Sequence, residues 1–91
     1  TLLTPNGFGL HRQMFATVHA ARAVLTAATA RVAATQEALR DTRLEVSTGA
    51  KPQLALLDAE REAIDAETAR IAAQGQLLVS AYSLLAIIGR E

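Results

Sequence analysis

A repeat of apolar residues at every seventh position runs through the first half of this 91-residue chain. Its large members are Val18, Leu25, Val32, Leu39 and Val46. Smaller or shorter side chains complete the pattern midway between them, at Met14, Ala21, Ala28, Thr35 and Thr42. Such a heptad repeat is typical of an α-helix that packs along another helix in a coiled coil. The sequence therefore predicts a long first helix over residues 10–48.

A second heptad line follows, and it predicts a second helix over residues 53–89. Its members are Leu57, Ile64, Ile71, Leu78 and Leu85. We assign this line to the seam against the first helix, with Glu60 and Glu67 as the charges that flank the seam. Gly75 interrupts the helix and suggests a bend or a close approach. Tyr82 is predicted to be a core aromatic whose hydroxyl reaches solvent.

A short turn over residues 49–52 separates the two predicted helices. Gly49 can adopt the left-handed conformation that ends a helix, and Pro52 suits the first turn of the next one. Residues 1–9 contain Pro5, Gly7 and Gly9, and we predict that they are irregular. The predicted fold is therefore all-α, a long antiparallel two-helix coiled-coil hairpin with arms of roughly 55 Å.

Each predicted helix also carries a stripe of alanine. In the first helix the stripe is Ala16, Ala20, Ala23, Ala27, Ala30, Ala34 and Ala38, and in the second it is Ala55, Ala59, Ala66 and Ala73. A lone hairpin needs only one apolar seam per helix, so two stripes predict further helical neighbours and self-association. Alanine is also the best helix former, and high helix propensity alone is the other interpretation.

Composition argues against several function classes. Nine basic and nine acidic residues give no net charge, and three aromatic residues cannot form a base-stacking platform, so nucleic acid is not expected. The chain has no cysteine and therefore no thiolate metal site or thiol nucleophile. The apolar stretch from Leu77 to Ile88 is shorter than a membrane-spanning helix requires and is interpreted as a packed helix end.

No catalytic or metal site is predicted from the remaining polar residues. His11 and His19 lie eight positions apart, which does not fit a helical metal pair. No serine or threonine has a recognisable histidine and acid partner, so we predict that the chain is not an enzyme and needs no cofactor. Two opposite-charge pairs, Glu37 with Arg40 and Glu67 with Arg70, are expected on solvated helix surface.

The second half of the chain carries a further pattern. The predicted tip at Gly49 is followed by Leu57-Asp58-Ala59, and the chain closes with Ala81-Tyr82-Ser83-Leu84-Leu85-Ala86-Ile87-Ile88-Gly89. In this pattern the segment resembles the C-terminal helical hairpin repeat of the TolC family of outer-membrane efflux and secretion channels. With the heptads of the first helix, the resemblance covers about residues 15–90.

The resemblance implies a fragment of a trimeric periplasmic α-barrel, a passive duct for exported substrates in the outer membrane and periplasm of a Gram-negative bacterium. The tip residues Gly49, Ala50 and Lys51 would dock to a periplasmic adaptor protein that serves an inner-membrane pump. Asp58 would lie at the channel entrance, where three copies would form a cation-attracting ring. Contact with the membrane would come through parts that this chain lacks.

The chain departs from the family pattern at three positions. Val46 stands where a tyrosine is common, Pro52 where a threonine is common, and Ala55 where some members have a second acid. Two other functions remain open. One is a self-contained coiled-coil scaffold or interaction hairpin with no transport role. The other is the hairpin of a periplasmic adaptor. The sequence argues against it, because the arginine, leucine and serine signature of adaptor tips is absent around Gly49.

Overall fold

The computed structural model describes the backbone of residues 5–90 and the side chains of residues 9–90. This part of the chain forms two helices, α1 (Pro5–Ser47) and α2 (Gln53–Ile88), and contains no strand. The helices pack against each other as an antiparallel hairpin measuring 70 × 17 × 14 Å. The predicted all-α fold, a long two-helix hairpin, is confirmed.

The accessible surface of the hairpin is large for its mass. It is 6706 Å² for a chain of 9.6 kDa, whereas a compact monomer of this mass exposes roughly 5,100 Å². Two helices side by side can bury only one face of each, so most side chains remain in contact with solvent. The hairpin therefore lacks the enclosed core of a globular domain.

The first helix begins earlier than the sequence predicted. Residues 5–9, predicted to be irregular, belong to α1, which starts at Pro5. Proline is favoured in the first turn of a helix, because the amide hydrogen that it lacks would have no partner there. The isolated glycines at 7 and 9 lower helix propensity but do not stop the helix. Residues 1–4 lie outside the described part of the chain.

The tip has the predicted glycine-ended geometry. Gly49 has a φ of 83°, in the left-handed region. The Gly49 N–H donates to the carbonyl oxygen of Val46 at 3.1 Å, and the Thr48 N–H donates to that of Leu44 at 3.0 Å. Pro52 is extended and lies immediately before α2 rather than within its first turn. These bonds satisfy carbonyl groups at the end of α1, which no longer have helical partners.

The seam of α1 follows the predicted heptad. Leu39, Ala21 and Thr42 are buried on this face, and the other members of the repeat are half-buried. Residues on the other faces of α1 are exposed almost throughout. The periodicity of the sequence therefore identifies the face of α1 that packs against α2.

The seam of α2 differs from the prediction. Leu57, Ile64, Ile71, Leu78 and Leu85 do not pack between the helices, and each is between 52% and 65% exposed. The residues that face α1 are mostly small: Ala59, Ala63, Ala66, Ala73, Leu77, Ser80, Leu84 and Ile87. Ala66 is fully buried. The assignment of the large aliphatic line to the internal seam is wrong, and the alanine line occupies that place.

Near the tip, the physical reason is the pairing of large side chains of α1 with small side chains of α2 across the seam. Leu39 lies level with Ala63, and Leu25 lies level with Leu77. Near the tip the large members of the seam come from α1, so small residues of α2 opposite them let the helices approach closely. Leucine or isoleucine on both helices would hold them farther apart.

Polar side chains on the seam are satisfied locally. The Thr42 hydroxyl donates to the carbonyl oxygen of Ala38 at 2.8 Å, and the Ser80 hydroxyl donates to that of Gln76 at 2.9 Å. Within the described residues, no buried side-chain nitrogen or oxygen lacks a hydrogen-bond partner. The seam therefore accepts these residues without an unpaired buried group.

Arg70 occupies a seam position between Ala66 and Ala73, but its charged end leaves the seam. Its Nε donates to Glu67 Oε1 at 2.8 Å, and its terminal nitrogens bond to Glu67 and Gln74. The hydrogen bond to Glu67 and the charge of that carboxylate raise the pKa of Arg70. The predicted pair of Glu67 with Arg70 is therefore present, whereas no ion pair joins Glu37 and Arg40 in residues 9–90.

Two smaller predictions about α2, a close approach at Gly75 and a core position for Tyr82, are wrong. Gly75 lies in an unbroken helix, and a Cβ built on it would meet nothing within 4 Å, so no close approach explains the glycine. Tyr82 is 68% exposed and is not a core residue. Both residues lie on the outer face of α2, opposite its seam.

Candidate interaction surfaces of the hairpin

The tip presents a small exposed surface made by Gly49, Ala50 and Lys51. Two contacts join Lys51 to the end of α1. Its Nζ lies 3.2 Å from Glu45 Oε1, and its backbone N–H donates to the Glu45 carbonyl oxygen at 3.1 Å. Nearly half of each of the two charged side chains remains exposed. The tip therefore has a fixed backbone shape with an ion pair on its surface, accessible to a partner.

Asp58 lies on the exposed surface of α2, about one and a half turns after the helix begins. Asp65, two turns further on, shares its face, and Glu62 lies between them. Together they form an acidic strip on one flank of the hairpin. The structure brings the predicted entrance residue Asp58 onto the same surface as other acids of the same copy.

The acidic residues are restricted to the half of the hairpin nearest the tip. Within residues 9–90 every aspartate and glutamate lies between Glu37 and Glu67. The far half of α2, from Ile71 to Ile88, has no charged residue at all. The acidic residues thus lie in the tip half of the hairpin, and the base half of α2 carries no charge.

A line of large apolar side chains, which we call the aliphatic line, runs along the exposed surface of α2. It consists of Leu57, Ile64, Ile71, Leu78 and Leu85, spaced by two helical turns, or about 10.5 Å. Large exposed apolar patches mark interaction sites in soluble proteins, so this line is a candidate interaction surface. The helix-packing role predicted for these residues can therefore be met only by contacts outside the hairpin.

The aliphatic line borders two open grooves between the helices. The first, of about 560 Å³, lies beside Ile64 and is lined by Gln36, Arg43, Glu60 and Glu67 around Leu39 and Ala63. The second, of about 470 Å³, lies beside Leu78 and is lined by Arg22 and Thr26 with Val18, Leu25, Leu77 and Ala81. Glu60 and Glu67 thus flank the internal seam as predicted, although other residues build that seam.

The alanine stripe of α1 lies on a different flank of the hairpin, which we call the alanine face. Its members Ala16, Ala20, Ala23, Ala27, Ala30, Ala34 and Ala38 are all exposed. From Ala16 to Ala34 their spacing alternates between four and three residues, the same spacing that forms a coiled-coil seam, and Ala38 follows four residues later. Leu44, which is 66% exposed, continues the face toward the tip. This face has the spacing of a helix interface but no helix against it.

The structure also shows the surroundings of the two histidines and of the apolar end of α2. His19 is exposed and His11 is half-buried, and within the described residues no group of three histidines or acids could hold a metal ion. By length and composition alone α2 could cross a membrane, because it contains an 18-residue window with a mean hydropathy of 1.7, of which 17% is buried. The Leu77–Ile88 segment is packed only in part, through Leu77, Ser80, Leu84 and Ile87.

Sequence reasoning missed some residues of these surfaces. Arg43 and Gln36 line a groove, and exposed Arg61 lies beside the aliphatic line between Leu57 and Ile64. The signal that would have found them is the 4-3 spacing from Ala59 through Ile87, because it fixes the internal seam and hence every other face. No protein-family model, curated protein or solved structure matches the chain.

Proposed function

We propose that this chain is a wall segment of an outer-membrane export channel of the TolC type, and that its tip docks to a periplasmic adaptor protein. The observation that supports the proposal is the combination of a long hairpin, a shaped polar tip and two unpartnered packing faces. A helix that is apolar on more than one face is stable when further helices cover it. A channel wall built of adjacent hairpins provides such neighbours on both sides.

The proposed role is passive conduction by an assembly, and the chain acts in it as a structural and docking element. It needs no cofactor and performs no chemistry. The assembly would be a homo-oligomer, a trimer by resemblance, located in the outer membrane and periplasm and coupled through the adaptor to an inner-membrane pump. Asp58 of each copy would contribute to a cation-attracting entrance, because carboxylates clustered in a narrow opening concentrate the electric field.

Binding of the tip to an adaptor tests the proposal directly. The 91-residue chain, immobilised, would be titrated with purified periplasmic adaptor proteins, and the tip variant Ala50→Asp compared with the matched variant Ala72→Asp, which lies far from the tip and outside both packing faces. Both positions are exposed, so neither change disturbs internal packing. We expect adaptor binding that weakens about tenfold or more for the tip variant only, since a central interface residue has far larger effects than a remote one.

The alternative is a self-contained coiled-coil interaction hairpin with no transport role. The absence of any adaptor binding, or equal binding by the tip and base variants, would contradict the docking proposal and favour this alternative. The aliphatic line supports this alternative, because an exposed apolar surface favours a binding partner along α2 in any cellular role of the chain.

A further inference from the structure

We infer that the base half of the hairpin, residues 9–36 of α1 and 71–88 of α2, binds the surface of a lipid bilayer that carries anionic headgroups. The outer face of α2 would enter the boundary between headgroups and acyl chains, and arginines of α1 would contact the lipid phosphates. The inference assigns a membrane contact to this chain itself, which the resemblance to an export channel does not imply. It uses only the residues of the hairpin.

The first argument is the composition of the outer face of α2, the side opposite its seam. Over residues 71–88 the centre of this face is made of Ala72, Gly75, Val79, Tyr82 and Ala86, with Ile71, Leu78 and Leu85 along one edge. Val79 is 60% exposed and Tyr82 is 68% exposed. The stretch has no charged residue, and an 18-residue window of α2 is apolar enough for a membrane although only 17% of it is buried. An apolar face about 100° wide is therefore left to a partner.

The second argument is the sign of the charges beside this face. Residues 9–36 of α1 contain Arg12, Arg22 and Arg31 and no acid. Because the hairpin is antiparallel, this segment packs along the uncharged end of α2. The base half thus combines positive charge on one helix with apolar surface on the other. Anionic membrane surfaces attract this combination, because lipid phosphates pair with arginine while the acyl chains accept the apolar face.

The third argument is the position of two of these arginines. Arg22 follows the seam residue Ala21 and lines the groove beside Leu78. Arg31 precedes the seam residue Val32, so the two arginines lie on opposite flanks of α1, both next to α2. Packed helix axes are about 8–10 Å apart, and an interfacial helix buries its apolar face by about 5–10 Å. With the outer face of α2 toward the acyl chains, both guanidinium groups therefore lie at the level of the phosphates.

The same two arginines argue against a helix that crosses the bilayer. Because α2 packs against α1 along the hairpin, α1 would enter the hydrocarbon together with α2. Arg22 and Arg31 would then lie in an apolar medium, where a guanidinium is costly to place. An orientation along the bilayer surface keeps both charges among the headgroups.

The acidic residues restrict the contact to the base half. Asp58 and Asp65 continue the outer face of α2 toward the tip, because they precede Ala72 and Val79 at seven-residue spacing. Anionic headgroups repel these carboxylates, and the hydrocarbon excludes them. The hairpin therefore meets the bilayer at a tilt, with its base in the interface and its tip in water.

Co-sedimentation with vesicles tests the inference. The 91-residue chain would be mixed with vesicles of phosphatidylcholine alone or of phosphatidylcholine with phosphatidylglycerol. We expect binding to the anionic vesicles that is about tenfold or more tighter than to the neutral ones and that weakens as salt is added. No binding to anionic vesicles would overturn the inference, and equal binding to both would overturn the role of the arginines.

A matched pair of valines tests the face that enters the bilayer. Val79→Gln should weaken binding about fivefold or more, because the valine loses its burial among the acyl chains. The control Val24→Gln makes the same change on α1, at the same height and with nearly the same exposure, 59% against 60%. It should weaken binding less than about twofold, since α1 stays above the acyl chains. Equal losses would overturn the assignment of the outer face.

A matched pair of double variants tests the arginines. Arg22→Gln/Arg31→Gln should weaken binding to anionic vesicles about tenfold or more. Arg40→Gln/Arg43→Gln removes the same charge in the tip half and should weaken binding less than about threefold, because the tip is farther from the surface than a Debye length. Equal losses from the two variants would show attraction by net charge and overturn the proposed contact.

Tryptophan fluorescence tests the orientation, because the chain has no tryptophan of its own. Tyr82→Trp places one at the base, and the control Leu54→Trp places one near the tip, on the same face of α2 because the two positions are a multiple of seven residues apart. We expect phospholipids with brominated acyl chains to quench the first variant and not the second, and bromine near the headgroup to quench more than bromine near the chain end. Equal quenching of the two variants would overturn the tilt. Stronger quenching by the deeper bromine would overturn the interfacial orientation.

The vesicle and adaptor experiments have independent outcomes. The two roles are compatible, because a neighbouring hairpin on the aliphatic line covers only one edge of the outer face. Vesicle binding without adaptor binding would support this inference and refute docking of the tip. Adaptor binding by a chain that never binds vesicles would support docking and refute the lipid contact.

Discussion

Glu45 and Lys51 join the two ends of the hairpin turn through both side chain and backbone. The ammonium of Lys51 lies 3.2 Å from a carboxylate oxygen of Glu45, and the backbone N–H of Lys51 donates to the Glu45 carbonyl at 3.1 Å. The backbone bond requires the turn geometry that Gly49 provides, whereas the ion pair lies on the surface. The two contributions should therefore separate on mutation.

Replacement of Gly49 by alanine should destabilise the hairpin by about 1 kcal/mol, because its left-handed φ is strained for a residue with a Cβ. The matched control is Gly75→Ala, which should stabilise the hairpin by about 0.5–1 kcal/mol, since this exposed glycine lies inside a helix with free space around it. Urea unfolding followed by circular dichroism measures both. Equal signs for the two changes would contradict the assigned turn geometry.

Removal of the ion pair should have a small effect. Lys51→Ala and Glu45→Ala each leave the backbone bond in place, and exposed pairs contribute roughly 0–1 kcal/mol. A double-mutant cycle should give a coupling free energy in that range that shrinks as salt is added. A larger coupling that is insensitive to salt would show that the pair is more buried than the structure places it.

The sequence predicts the internal seam of α1 correctly and the internal seam of α2 incorrectly. In α1 the large residues of the heptad mark the internal seam, since the competing apolar line on the same helix, the alanine stripe, consists of small side chains. In α2 two lines compete, and size favours the wrong one: Ile64 and Ile71 are larger than Ala63 and Ala66 but lie outside. Which line is internal depends on the volume of the opposite helix, a property that the sequence of α2 alone does not contain.

Some features of the candidate surfaces could be predicted from the sequence and others could not. The left-handed glycine of the tip could be predicted from local sequence, because turn chemistry is local. The grooves and the position of Arg61 beside the aliphatic line could not, because they depend on which face of α2 meets α1. The early start of α1 was missed because proline and two glycines suggest irregular chain, although proline is compatible with a first helical turn.

The revised seam of α2 predicts a contrast between two substitutions of large side chains. Leu39→Ala should cost about 2–5 kcal/mol, because Leu39 is buried between the helices. Ile64→Ala should cost less than about 1 kcal/mol in a dilute, monomeric sample, since Ile64 is mostly exposed. Denaturant unfolding at low protein concentration measures the difference. Comparable losses of unfolding free energy at the two positions would show that Ile64 packs in the internal seam.

The most buried position of the seam predicts a further contrast, between two alanines. Ala66 is fully buried against α1, so Ala66→Leu must push the helices apart or force strained side chains, at a cost of about 1–3 kcal/mol. Ala72→Leu, six residues further on and exposed, adds the same atoms where there is room and should change the free energy of unfolding by less than about 0.5 kcal/mol. Thermal unfolding followed by circular dichroism gives both values, and the helical signal before the transition confirms that each variant folds. Tolerance of leucine at position 66 would mean that the helices are not in close contact there, and the alanine seam would lose its main support.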